Sequence, residues 1–148
     1  MQTRTILLVD DSGDDVVLAR TAFAQTGTPH TLVIAEDGVE ALDYLLRRGD
    51  YTGRGNDEPD LVLLDLKLPG IDGFEVLRRI RAVDQTTTIP VVVFTSSVEH
   101  KDVERSYRLG ANSYIRKPVD FDEFLPLAQR IAEYWLGINQ PPLERVEA

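Results

Sequence analysis

Three carboxylates, two hydroxyls and a lysine stand at the ends of apolar runs in this chain. Asp10 and Asp11 follow ILLV, Asp65 follows LVLL, Thr95 and Ser96 close PVVVF, and Lys117-Pro118 comes just after SYI. Carboxylate oxygens are the ligands Mg²⁺ takes, usually one or two directly, with waters and phosphate oxygens completing the shell. A carboxylate can also attack phosphorus to form an aspartyl phosphate, and a lysine is a point charge suited to phosphate. The set therefore suits one magnesium ion and one phosphoryl group. Each residue also has an ordinary use. Asp10 and Asp11 could form a turn or a helix N-cap, Thr95 is a common strand residue, and Asp65 or Lys117 could simply be solvated at a strand end. What favours chemistry is that all of them fall at one kind of position.

That position is defined by the elements. Runs of four to six Val, Ile and Leu residues without polar alternation read as strands buried on both faces, as in a parallel sheet. Strands are expected at 4–9, 31–35, 60–64, 90–95 and 112–116, and helices at 14–26, 39–48, 73–83, 98–109 and 121–136. Five βα repeats imply an α/β fold, a parallel sheet with helices on both faces. In such sheets ligands bind beyond the carboxyl ends of the strands, which is where Asp10, Asp11, Asp65, Thr95 and Lys117 would gather.

Local signals support several boundaries. Ser12 with Asp15 and Ser96 with Glu99 fit the capping-box spacing, and Gly27, Gly49 and Gly110 sit where helices should end. Pro69-Gly70 and Asp72-Gly73 predict a rigid turn that holds the loop after Asp65 away from the acid and leaves room for a donor. Lys117 precedes a proline, so its backbone is restricted to extended conformations, and the Lys117–Pro118 bond can be cis. Residues 49–59 (GDYTGRGNDEP) form a longer connection than the repeat requires, and 139–148 read as a frayed tail.

Composition narrows the function. A chain of 148 residues with net charge −9 and pI near 4.6 is one acidic domain. It disfavours nucleic acid and anionic membranes, whose affinity comes mainly from neutralising phosphate. There is no cysteine, which excludes disulfides and thiolate metal sites. The apolar N-terminal stretch is too short for a signal peptide, and no run approaches a membrane span. A cytoplasmic protein is expected.

In order and spacing, ILLVDDS, LVLLDLKLPGIDGFEVL, PVVVFTSS and GANSYIRKPVD resemble the receiver domain of two-component response regulators, the CheY-like, flavodoxin-like fold. The resemblance covers about residues 4–136. It implies strand order 2-1-3-4-5, an order for which CheY is a standard example, a receiver domain at 1–138 and a tail at 139–148. It also implies that Asp65 is the phosphoacceptor, and that Asp10, Asp11, Asp65 and the backbone carbonyl of Lys67 hold Mg²⁺. Thr95 would report phosphorylation and Lys117 would pair with the phosphoryl group, in a Lys117-Pro118 step that is commonly cis. Tyr114 falls at the aromatic switch position, and the small Ser96 leaves access to the site. Such a receiver is no enzyme in its own right, although it assists its own phosphorylation and dephosphorylation. The 49–59 insertion, TSSVEHKDVERSYRLGANSYI and the ending EYWLGINQPP are similar to single-domain regulators of bacterial and cyanobacterial phytochromes. That likeness implies a phytochrome-type histidine kinase as donor, and a homodimer through the helix 4, strand 5, helix 5 face.

Competing functions lack their motifs. A haloacid-dehalogenase-like phosphatase resembles a D-x-D pattern, but Lys67 and Ser12 stand two positions after Asp65 and Asp10. A nucleotide-binding domain would need a Gly-rich loop ending in Gly-Lys-Ser/Thr, and Asp10-Asp11 would repel an FMN phosphate. A phosphate-independent interaction module stays open. For assembly, helix five carries a core stripe (Phe121, Phe124, Leu125, Ala128, Ala132, Trp135). It also carries a second line, Leu127, Ile131, Tyr134 and Ile138, roughly 90° away at 100° per residue, which asks for a partner or for the tail. Few apolar residues lie on helix four (Val103, Tyr107, Leu109), so loose packing is expected there.

Overall fold

The computed structural model describes residues 3–55 and 57–142; the last six residues of the expected tail lie outside them. Five strands, β1 (Arg4–Val9), β2 (His30–Ala35), β3 (Leu61–Leu64), β4 (Val91–Thr95) and β5 (Ser113–Arg116), alternate with five helices. These are α1 (Gly13–Ala24), α2 (Gly38–Leu46), α3 (Gly73–Ala82), α4 (His100–Arg108) and α5 (Phe121–Glu133). All pairings are parallel, in the order β2-β1-β3-β4-β5. The expected α/β architecture and strand order are both present.

Alternation along each strand sends successive side chains to opposite faces, so each unbroken apolar run supplies two cores. Leu7, Val9, Val62, Leu64, Val91 and Val93 pack on one face with Leu42 and Leu45 of α2 and Val76, Leu77 and Ile80 of α3. Ile6, Leu8, Leu61, Leu63, Val92 and Phe94 pack on the other with Ala19 and Phe23 of α1 and Phe124, Ala128 and Ala132 of α5. The central strands β3 and β4 are buried throughout, whereas β5 is only half-buried at the sheet edge. At about 1.5–3 kcal/mol per fully buried aliphatic side chain, these two cores hold the strand ends rigidly enough to position chemistry.

Several boundary expectations need correction. The Ser96–Glu99 box does not form: α4 begins at His100, and its N-cap Glu99 has no side-chain capping bond. Ser97 serves the approach to this helix instead, donating to Asp102 Oδ2 at 2.7 Å and accepting from the Glu99 N–H at 3.4 Å. Gly110 takes the left-handed conformation after α4 (φ 104°), but Gly27 lies beyond the α1 C-cap Gln25, and the left-handed cap of α2 is Arg47 (φ 56°) rather than Gly49. The 49–59 connection is ordered over its described residues. It opens with a 3₁₀ turn (Gly49–Tyr51), and Arg54 stacks on the Tyr44 ring at 4.1 Å while donating to the carbonyls of Tyr44 and Asp57.

Helix five does not present two separate stripes. Ile131 is buried with Ala128 and Ala132, and Leu127 packs against the same core. Residues Tyr134–Ile138 then wind as a π-turn, closed by the Asn139 N–H to the Tyr134 carbonyl at 2.6 Å. A wider turn breaks the 100° step on which the wheel depends. Leu136 is therefore buried, while Tyr134 and Ile138 are exposed.

Candidate phosphoacceptor site

The backbone ladder runs one residue past three strands and fixes the site. Asp10 donates its N–H to the Ala35 carbonyl (3.0 Å), Asp65 to that of Val9 (3.0 Å) and Lys117 to that of Thr95 (2.8 Å). Each residue is held by the neighbouring strand, so their side chains emerge together at the carboxyl edge of the sheet. Gly73 reinforces this placement. Its N–H donates to the Leu66 carbonyl at 2.9 Å, and any side chain there would collide with the Asp65 carbonyl and the Leu66 Cα. The Pro69–Gly73 turn thus folds back onto the backbone of Asp65 and Leu66 rather than standing away from it, as the sequence suggested. Room near the acid exists all the same, as a groove of about 570 Å³ lined by Asp11, Lys67, Asp72, Phe74 and Ser97, among others.

Asp65 is 7% exposed and fully engaged. Its Oδ1 accepts from Thr95 Oγ1 at 2.9 Å and from the Lys67 N–H at 3.3 Å, and its Oδ2 accepts from Lys117 Nζ at 2.9 Å. Lys117, equally buried, donates to Asp10 Oδ2 at 2.9 Å and Asp15 Oδ2 at 2.8 Å as well. Burial opposes the charged lysine, but its hydrogen bonds to the carboxylates of Asp15, Asp10 and Asp65 outweigh it and hold its pKa above the ordinary value. For Asp10 burial wins: it pushes the carboxyl pKa up, against the bonds from Lys117 and the Ser12 N–H.

Asp10, Asp11 and Asp65 each offer an oxygen, and these three oxygens lie within 4.8 Å of one another. Asp11 is exposed and the other two are buried. Three hard oxygen donors, one open to solvent, fit a small divalent cation that keeps part of its water shell. Lys67 reaches the site through its N–H. Thr95 is already bonded to Asp65, and Tyr114 lies half-buried with its hydroxyl donating to the Ser97 carbonyl at 2.8 Å. That bond ties β5 to the loop ahead of α4, and burial raises the pKa of the phenol. Ser96 is exposed beside Thr95. Among the described residues no peptide bond is cis, so Lys117–Pro118 is trans, the isomer an X–Pro bond favours by about 0.5–1 kcal/mol.

The residue the sequence reading missed is Asp15. Its spacing from Ser12 pointed to a capping box, and half of the box forms: Ser12 Oγ accepts from the Asp15 N–H at 3.3 Å. The other half does not, because Asp10 Oδ1 takes the Ser12 N–H at 2.9 Å. The Asp15 carboxylate is left to face Lys117. Its place in the first turn of α1, beside the same sheet edge, was the available clue.

An open parallel sheet with an acidic trio, a hydroxyl and a lysine at its carboxyl edge defines a phosphoryl-handling signalling module rather than a nucleotide or flavin domain. Comparison with known proteins gives the family. Residues 6–129 match the response regulator receiver domain, and the chain belongs to that family. It is 41% identical to the probable methanogenesis regulatory protein FilR2 of Methanothrix harundinacea, over 93% of this chain and 86% of that one. It is 38% identical to the response regulator Rcp1 of Synechocystis, over 90% of this chain and 89% of the relative, whose structure is known in an Mn²⁺-bound form (TM-score 0.86, covering 95% and 99% of the two chains). The phosphorylated cyanobacterial phytochrome response regulator RcpA superposes with a TM-score of 0.89 at 37% identity, covering 96% of this chain and all of that one.

Proposed function

We propose that this receiver takes a phosphoryl group from a sensor histidine kinase onto Asp65, and that the donor is a phytochrome-type kinase. The observation that carries the reading is the convergence of Lys117 and the Asp10–Asp11 pair on the Asp65 carboxylate at the strand edge. Asp65 attacks phosphorus, the P–N bond to the donor imidazole breaks as the new P–O bond forms, and the imidazole leaves to be protonated. Phosphoryl transfer needs chiefly positioning and charge stabilisation. Lys117 faces the attacking oxygen and Thr95 Oγ1 holds its partner oxygen. Mg²⁺, held by Asp10, Asp11, Asp65 and the Lys67 carbonyl, would neutralise charge on the phosphoryl oxygens. The same groups would assist hydrolysis, so the module helps to set its own lifetime. Likeness to phytochrome regulators over nearly the full length supports the choice of donor.

Thr95 and Tyr114 are read as the reporting pair. Thr95 already touches the acceptor, so phosphorylation would exchange its carboxylate partner for a phosphoryl oxygen, and the Tyr114–Ser97 bond would pass the change to α4. A homodimer through the α4–β5–α5 face is supported by the exposed Tyr107, Tyr134 and Ile138. Net charge −9 argues against nucleic acid as a partner. No helix among the described residues is long and apolar enough to cross a membrane, which accords with action in the cytoplasm.

Incubation with acetyl phosphate and Mg²⁺, followed by intact mass, tests the assignment. Wild type is expected to gain one phosphoryl group and Asp65→Asn none; undiminished labelling of the variant would overturn it. For assembly, light scattering of wild type at tens of micromolar is expected to give twice the chain mass, and Tyr134→Ser with Ile138→Ser the mass of one chain.

A further inference from the structure

We propose that Asp15 is a positioning residue for Lys117: a fixed counter-charge that keeps the ammonium at the acceptor once metal and phosphoryl group occupy Asp10 and Asp65. This rests on the reading of Asp65 as the phosphoacceptor. A lysine ammonium has three N–H donors, and Lys117 spends them on Asp10, Asp15 and Asp65 at 2.8–2.9 Å. Two of these partners belong to the oxygen trio that would hold a cation. Cation binding draws off their charge, and phosphorylation converts the Asp65 oxygen into an ester. Asp15 lies outside the trio, so its hold on the lysine survives both events.

The local structure supports this division of labour. In a complete capping box the carboxylate three residues after Ser12 would return to the Ser12 N–H. Here Asp10 occupies that N–H, and the Asp15 carboxylate turns to Lys117 instead. Asp15 is anchored by its own N–H to Ser12 Oγ and sits in the first turn of α1, where the helix dipole favours a negative charge. Its side chain is 34% exposed against 6% for Lys117, so it stands at the mouth of the site, on the solvent side of the lysine. Without it, a flexible four-carbon side chain would keep one donor for a phosphoryl oxygen and have nothing to fix its direction.

The test uses the full chain labelled with ¹⁵N-lysine, and follows the Lys117 Nζ resonance (assigned with Lys117→Gln) through a Mg²⁺ titration. A held ammonium exchanges its protons slowly and gives a signal; a free one does not. Wild type is expected to keep the resonance at saturating Mg²⁺. Asp15→Asn is expected to lose it on Mg²⁺ addition, and Asp15→Glu to restore it. Asp14→Asn, which removes the same charge from the neighbouring exposed residue, is expected to behave as wild type. In parallel, Asp15→Asn is expected to take phosphate from acetyl phosphate roughly tenfold more slowly, the scale of one hydrogen bond to a charged group. Its half-saturating Mg²⁺ concentration should stay within about twofold of wild type by the same scale. Persistence of the resonance in Asp15→Asn overturns the proposal. So does an equal loss in Asp14→Asn, or a slowing that saturating Mg²⁺ abolishes. Failure of wild type itself to accept phosphate would instead refute the acceptor reading, and would leave the resonance experiment to judge Asp15.

Discussion

Two buried or half-buried cations join the elements of this molecule at opposite edges of the sheet, and they are held by opposite chemistry. At the carboxyl edge Lys117 is surrounded by the carboxylates of Asp10, Asp15 and Asp65. At the amino edge Arg81, in the last turn of α3, donates to the carbonyls of Gly110, Thr87 and Ile89 and to Asn112 Oδ1, at 2.8–3.0 Å. Four neutral oxygens satisfy a guanidinium without compensating its charge, and burial lowers the pKa of Arg81. Around Lys117 the anions win and the pKa rises. Neutral acceptors have one stable arrangement, so Arg81 works as a permanent staple between α3 and the starts of β4 and β5. An excess of anions around one cation is frustrated: it invites a second cation, and it reorganises when charge is added. The edge that reacts is the one built from charges.

Substitution of the two cations is expected to separate these roles. Lys117→Met leaves buried carboxylates unpaired and should cost about 3–5 kcal/mol at neutral pH without metal. Urea unfolding is expected to recover much of that loss on addition of Mg²⁺ or on acidification, since either removes the surplus negative charge. Arg81→Met leaves carbonyls unsatisfied and should cost about 3 kcal/mol, a loss that neither Mg²⁺ nor acid repairs, with phosphate uptake at Asp65 retained. A stability loss in Lys117→Met indifferent to Mg²⁺ would break the comparison.

The smallest expected effect concerns pH. The folded pKa of Asp10 lies above its ordinary 3.8 because of burial, so the fold binds this proton more tightly than the unfolded chain does. The stabilisation from that group is therefore complete below pH 3.8 and is lost as pH rises through the folded value. Asp10→Asn retains an oxygen to accept the Ser12 N–H. It is expected to melt above wild type at neutral pH without metal, with the difference closing on acidification. Lys117 has the same sign in another window: its contribution is intact through neutral pH and is lost as pH climbs above its ordinary 10.5 toward the raised folded value.

Much of the design was legible in the sequence because it is local. Short unbroken runs such as LVLL and PVVVF, flanked by turn signals, read as strands buried on both sides, and the residue after such a run falls at the sheet edge. That is why the positions of Asp10, Asp65, Thr95 and Lys117 at this edge were legible from local pattern. Helix boundaries were less legible where capping was degenerate. Ser96 and Ser97 both precede α4, and tertiary packing chose Ser97. Hydrophobic periodicity also failed beyond Glu133, because a π-turn departs from the 3.6-residue step.

Short-range pattern and chain direction were enough for the βα repeat, for the sheet edge at which the acidic trio, the hydroxyl and the lysine meet, and for the types of those residues. Which residues pair was settled by long-range contacts. Asp15 reads as half of a capping box until Lys117, 102 residues away, takes its carboxylate. Nothing in the pattern around Arg81 announces that Gly110 and Asn112 accept from its guanidinium. Both outcomes arise from contacts between residues distant in the chain, and the need to satisfy every buried charge and carbonyl selects them.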